Sequence, residues 1–238
     1  PISIKTEVDL YPSEGKYSVK STSVLKNKGQ NPIEKIFITE RVTLTTIDFE
    51  GAILLDHDTV FGTYLFQLKK ALQPQEELKY SYELTKETTG YQTDKRITQN
   101  GTYLIHRDFA PILSYRNAVE IKNKTERQKR GLPKIEEKQV SDAHLGSGET
   151  GYGRIAYETI ISTQGDETAI GSGELVKKWT ENERNYFHYK PMHKITPTMA
   201  YFSAKYEVQK IKHKGISIEQ YYDARHDFNT ETINQSVQ

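Results

Sequence analysis

The chain has 238 residues, no cysteine, and 33 Lys and Arg against 32 Asp and Glu. These figures exclude a disulfide scaffold, a zinc ribbon and thiol catalysis, and they leave no global basic field to attract nucleic acid. With 16 Tyr and 8 Phe in a hydrophobic fraction of 35%, the composition suits half-buried sheet faces better than a helical bundle.

Residues 2–10 alternate, with Ile2, Ile4, Val8 and Leu10 on one face and Lys5, Glu7 and Asp9 on the other, the period of a half-buried strand. Turn chemistry at Tyr11–Gly15 leads to a second strand through Tyr17, Val19 and Val24-Leu25. Ile33, Ile36 and Ile38 mark a third, and Val42, Leu44 and Ile47–Phe49 a fourth. Ala52–Leu55 follows the Glu50-Gly51 turn. Tyr64, Phe66 and Leu68, then Leu78, Tyr80, Tyr82 and Leu84, alternate in the same way. Strands at this spacing, with turn signals between them, predict antiparallel sheets in a sandwich or an extended form. The length suits one large all-β domain, expected over 1–230.

Asn100-Gly101 opens a further run at Tyr103-Leu104-Ile105. One helix is predicted over about 117–130, with Asn117 as N-cap, Glu120 completing a capping box, and Gly131 and Pro133 as the stop. Residues 134–153 are charged and rich in Gly and Ser, and read as an exposed loop. The stretch 157–190 reads as three strands in succession. Its breaks are the Gln164–Asp166 turn, Gly171-Ser172-Gly173 and the hairpin turn Glu181–Glu183. The only tryptophan, Trp179, is assigned to the packed face of the sheet. Ala200–Val208 and Gly215–Tyr222 are read as two more strands, and 231–238 as a polar tail. No apolar run approaches the ~20 residues that span a bilayer, and no signal peptide is evident. Because Pro1 starts inside a predicted strand, the sequence is expected to be a piece of something larger.

The search for chemistry yields no self-contained catalytic constellation. No His-Glu-x-x-His spacing occurs among the seven histidines. The pairs His188/His193, His226/Asp223 and His106/Asp108 each offer two metal ligands at most, short of the three or four that zinc requires. Asp142 and His144 lie in the predicted loop. Gly171-Ser172-Gly173 lacks the spacing of a nucleophile elbow and reads as a turn or bulge. Gly146-Ser147-Gly148 and Gly151-Tyr152-Gly153 have neither the preceding strand nor the following capped helix of a phosphate loop. Glu76-Glu77 and Glu136-Glu137 read as solvated charge. Tyr221-Tyr222 and the pair Tyr186 and Tyr189 could line a sugar or peptide face, with sheet packing the simpler account. No catalytic and no metal-binding residue is assigned.

Several segments together resemble one family. NGTYLIHRDFAPILSY (100–115), ERQKRGLP (126–133), the run from Ile161 to Lys190, AYFSAKYEV (200–208) and GISIEQYYDARHDFN (215–229) are similar to the N-terminal β-domain of bacterial aminopeptidase N-like zinc metallopeptidases. The nearest variety is the peptidase-like region fused to ABC transporter permeases. This resemblance implies a saddle-shaped antiparallel β-domain preceding a thermolysin-like domain. That later domain would hold the zinc and its HExxH motif, and neither is expected in this chain. The implied partners are the downstream peptidase-like domain and a membrane permease of the same polypeptide, not nucleic acid. The implied location is the extracytoplasmic side of a bacterial membrane. In the family, a Gln or Glu upstream of an F-P-x-x-D-E-P-like segment grips the substrate's α-amine. Phe109–Tyr115 matches that segment without its acidic residue. Asn100 to Thr102 stand at the anchor position and Gln99 is the nearest amide, so Gln99, Asn100 and Thr102 are the substrate-facing candidates. An independent glycan- or peptide-binding β-sandwich module is the alternative.

Overall fold

A computed structural model describes residues 1–88, 94–114, 120–135 and 153–236. Its largest element is a seven-stranded sheet in the order β12-β13-β10-β1-β2-β7-β4. These strands are β1 (Ser3–Tyr11), β2 (Lys16–Lys26), β4 (Thr46–Phe49), β7 (Glu77–Glu87), β10 (Ala156–Gln164), β12 (Glu174–Glu181) and β13 (Arg184–Lys190). A second sheet runs β11-β14-β9-β8, from β8 (Ile97–Thr98), β9 (Gly101–Ile105), β11 (Thr168–Ile170) and β14 (Ala200–Ala204). A third is β3-β6-β5, from β3 (Ile33–Thr39), β5 (Ala52–Asp58) and β6 (Thr63–Leu72). The hairpin of β15 (Glu207–His213) and β16 (Ile216–Tyr222) completes the set. The all-β architecture follows the strand alternation. One junction departs from simple antiparallel pairing: β1 lies parallel to β10, Val8 opposite Ile161.

The alternation of β1 sets the core. Ile4, Thr6, Val8 and Leu10 share one face, and across the register Val8 stands beside Val19 and Ile161, with Leu84 and Phe187 one strand further out. Val8, Leu10, Val19, Leu84, Ile161 and Phe187 form one cluster with Ile38, Tyr64 and Phe66 of the third sheet and Leu104 and Tyr201 of the second, and Ile4 packs against it. Burying apolar area of this kind stabilises by roughly 25 cal/mol per Å². The opposite face carries Lys5, Glu7 and Lys20 and is left to water.

Two polar networks sit inside this apolar layer. Thr6 Oγ1 lies 2.8 Å from Tyr201 Oη and donates to Thr159 Oγ1 at 2.8 Å, while the hydroxyls of Tyr157 and Tyr201 meet at 2.6 Å. Glu167 is 2% exposed, and its Oε2 accepts hydrogen bonds from Thr163 Oγ1 and Ser203 Oγ. Each network joins the first sheet to the second, so buried hydroxyls fix how the layers meet.

Several boundaries differ from expectation. The helix α1 spans only Lys124–Lys129, and its N-cap is Asn123, whose side chain accepts from the Glu126 backbone N–H at 3.1 Å. Asn117 lies outside the described residues. Glu120 forms an ion pair with Arg127 at 3.4 Å. Asn123 is extended (φ −66°, ψ 121°), so the helix cannot run back through it. The predicted single strand Ala200–Val208 is two: β14 belongs to the second sheet, and the chain leaves it at Lys205-Tyr206 for β15. β11 follows the Gln164–Asp166 turn and carries the chain from the first sheet into the second. The polar tail winds into α2 (Thr230–Ser236), where Asn234 is buried and donates to Gln209 Oε1. Of the predicted loop 134–153, the ends Lys134, Ile135 and Gly153 are exposed. Residues 136–152, with Glu136-Glu137, Asp142, His144 and the Gly146–Gly148 run, lie outside the described residues.

The glycine break has a steric reason. Gly173 has φ +113°, and a Cβ built there falls 2.5 Å from Pro191 N; one at Gly171 falls 2.9 Å from Ile161 Cδ1. Only a residue without a side chain lets β12 start beside the end of β13.

Candidate functional site

A cavity of about 1030 Å³ opens where the β8–β9 hairpin meets the junction of β14 and β15. Ile97 pairs with Thr102 and Thr98 with Gly101, so Gln99 and Asn100 form the two-residue tip of that hairpin. Both tip residues are exposed. The hairpin is held on its other side by β14, with Thr102 opposite Ser203 and Tyr103 opposite Phe202. At Gly101, a Cβ would lie 3.0 Å from Ser203 O. The missing side chain is what lets the hairpin tip approach β14 so closely.

Alternation then sorts the lining. Thr102 turns towards the core and is 5% exposed, and its hydroxyl has no hydrogen-bond partner among the described residues. Tyr103 and Phe202 face outward and stack at 5.1 Å, giving the cavity an apolar wall that is half open to solvent. The amides of Gln99 and Asn100 supply donors and acceptors at the rim. All three sequence-predicted residues, Gln99, Asn100 and Thr102, line this one cavity.

Charge at the rim is mostly self-compensated. Lys205 pairs with Asp166, and Arg225 grips Asp223 through two hydrogen bonds of 3.0 and 2.7 Å. Hydrogen bonding to Arg225 holds the Asp223 carboxyl well below the usual range. Glu207 also lines the cavity and forms no ion pair among the described residues. No sequence signal marks it, since a single carboxylate at the start of a strand looks like any solvated charge.

The other candidates scatter. Among the described residues, no group of three or more His, Asp or Glu could hold a metal ion. The described donors therefore do not fit a zinc site, and no zinc chemistry is assigned to them. His188 Nε2 lies 3.0 Å from Glu158 Oε1 on the outer face of the first sheet. Asp108 is tied to Arg96 at 3.0 Å and to the Ile105 N–H at 3.0 Å, not to His106. Burial, with Arg41 and Arg107 nearby, lowers the His106 pKa.

The aromatic candidates are mostly engaged with their neighbours. Tyr189 is buried and donates to Ala169 O at 3.0 Å. Tyr221 donates to Glu219 Oε2 and meets Tyr206 edge-on at 5.8 Å. Trp179 is outside the core cluster. It sits half-buried on the edge strand β12, its ring stacked on Tyr186 at 5.1 Å with Lys177 Nζ 5.0 Å from its centre. No described helix is long and apolar enough to cross a membrane.

No protein-family model matches this chain, and no curated protein matches it in sequence. Its fold does have solved counterparts. An M1 zinc metallopeptidase from Deinococcus radiodurans superposes with a TM-score of 0.57 at 10% identity, over 92% of this chain and 46% of that one. A mutant of that M1 zinc metallopeptidase bound to a Tyr-Ser-Ala substrate gives 0.59 at 10% identity, over 94% and 47%. A two-domain M1 zinc metallopeptidase mutant bound to L-arginine gives 0.55 at 9% identity, over 92% and 46%. The chain thus spans about half the length of the structures it matches, and it shares the fold of that portion of M1 zinc metallopeptidases.

Proposed function

We propose that this chain is the non-catalytic N-terminal β-domain of a zinc aminopeptidase-like protein. It packs on a downstream thermolysin-like domain and walls one side of that domain's substrate cleft. The observation that carries this reading is the fold likeness, which takes in nearly all of this chain and under half of each M1 metallopeptidase. In this reading zinc and the residues that activate water belong to the downstream domain. The β-domain contributes binding and exclusion of solvent.

The cavity at the β8–β9 tip is the part of the domain offered to a peptide. Gln99 and Asn100 pair with the peptide's polar backbone, Tyr103 and Phe202 pack on an apolar side chain, and Glu207 accepts a free α-amine. By the sequence resemblance alone, the protein is a fusion with a membrane permease and this domain sits on the extracytoplasmic face. The test is to read the frame past Gln238. An HExxH motif with a further Glu within the next hundred or so codons supports the proposal, and its absence there removes the enzymatic half.

A further inference from the structure

We infer that a second cavity, between the end of β2 and the start of β3, binds a small amphiphile with an anionic head on an apolar body. This cavity measures about 350 Å³ and shares no lining residue with the one at Gln99. Its walls are Leu25, Ile36, Phe37, Leu72 and Leu113. That volume and that apolar lining fall within the ~300–1,000 Å³ range of small-molecule sites.

Its rim is cationic. Lys26, Lys28 and Lys35 all line it, and none of them forms a salt bridge among the described residues. Glu77, which faces Lys26 in the strand register, does not reach it, and Glu76 is taken by Lys70 at 3.0 Å. Lysines scattered on a surface are ordinary. Three that line one apolar hollow, with no carboxylate paired to any of them among the described residues, are suited to an anion.

The corner carrying two of the lysines is fixed in advance. Asn27 is 3% exposed; its Nδ2 donates to Asn31 O and Leu72 O at 2.9 Å each, and its Oδ1 accepts from the Gly29 N–H at 2.9 Å. Its backbone is bonded on both sides, to Glu76 O and from Gln75 N–H. Lys26 and Lys28 therefore flank a rigid residue, which lowers the ordering cost of gripping a ligand head.

The experiment is an NMR titration of the protein with octanoate, octyl phosphate and the neutral octanamide, each kept below its micelle concentration. Either anion should give saturable shifts at residues 26–28 and 35–37, with octanamide at least tenfold weaker. The tighter anion identifies the head as carboxylate or phosphate. The double variant Lys26→Gln/Lys35→Gln should weaken binding of the anion about tenfold while the thermal transition stays in place. Lys28→Gln, at a more exposed position, reports the same loss if the double variant lowers stability. The inference is overturned if octanamide binds as tightly as the anions, if these variants bind like the parent chain, or if neither anion gives a saturable shift.

Discussion

The hydroxyls of Tyr157 and Tyr201 lie 2.6 Å apart between the two main sheets, each also within reach of Thr6 Oγ1. β10 and β14 are far apart in the chain and meet at this point. A buried hydroxyl left without its partner costs about 1–3 kcal/mol. Tyr201→Phe keeps the ring and its packing on Phe109 but removes one corner of the network. Chemical denaturation should show a loss of about 1–2 kcal/mol, whereas Tyr206→Phe should be close to neutral.

The same tyrosines predict behaviour in alkali. Burial raises the pKa of Tyr157 and of Tyr201, and it pushes Tyr189 up to about 12. A folded pKa above the unfolded value near 10 means that the unfolded chain ionises first. The stabilisation is complete below pH ~10 and is lost as pH rises towards and past the folded values. Melting temperature should be flat up to pH ~9.5 and fall steeply above it. Tyr189→Phe should make that fall shallower; an unchanged slope would contradict the assignment.

Gly173 and Gly51 separate backbone strain from steric conflict. Both have positive φ, +113° and +71°, but a Cβ at Gly51 meets nothing within 4 Å while one at Gly173 strikes Pro191. Gly51→Ala should cost about 1 kcal/mol from the backbone alone. Gly173→Ala should cost at least ~1 kcal/mol more, read from denaturation midpoints. It should also raise hydrogen exchange along β12.

Glu167 is a buried carboxylate held by two hydroxyls. Glu167→Ala should destabilise by about 2 kcal/mol, in the range for hydrogen bonds to charged groups. Thr163→Ala and Ser203→Ala should each cost less, and the double mutant less than their sum, because they share one acceptor.

What could be read from the sequence followed the periodicity. Alternation in β1, β2, β6 and β7 gives the right faces because apolar side chains announce themselves at spacing two. Thr6, Thr159, Thr163 and Ser203 sit on the same inner faces, yet their polarity hides them until their partners are known. β11 is too short to show a period, and β14 runs into β15 without Gly or Pro to mark the change of sheet. Asn117 is the cap that the sequence suggests, and only the extended backbone at Asn123 places the start of α1 there. At the candidate site, residues 99–102 are singled out by a family likeness and not by chemistry. Their neighbourhood with Glu207 exists only because β9 pairs with β14, a contact that local pattern cannot supply.

Zinc stoichiometry decides whether this chain is the zinc-free wall of a peptidase-like protein. The full polypeptide and residues 1–238 alone would be purified, dialysed with zinc and assayed for bound metal and for hydrolysis of aminoacyl substrates. Close to one zinc per full polypeptide is expected, with neither zinc nor hydrolysis in the isolated chain. In any full protein that is active, Gln99→Ala and Glu207→Ala should raise KM more than they lower kcat. Stoichiometric zinc with hydrolysis in residues 1–238 alone, or a full polypeptide that binds no zinc, would contradict that role.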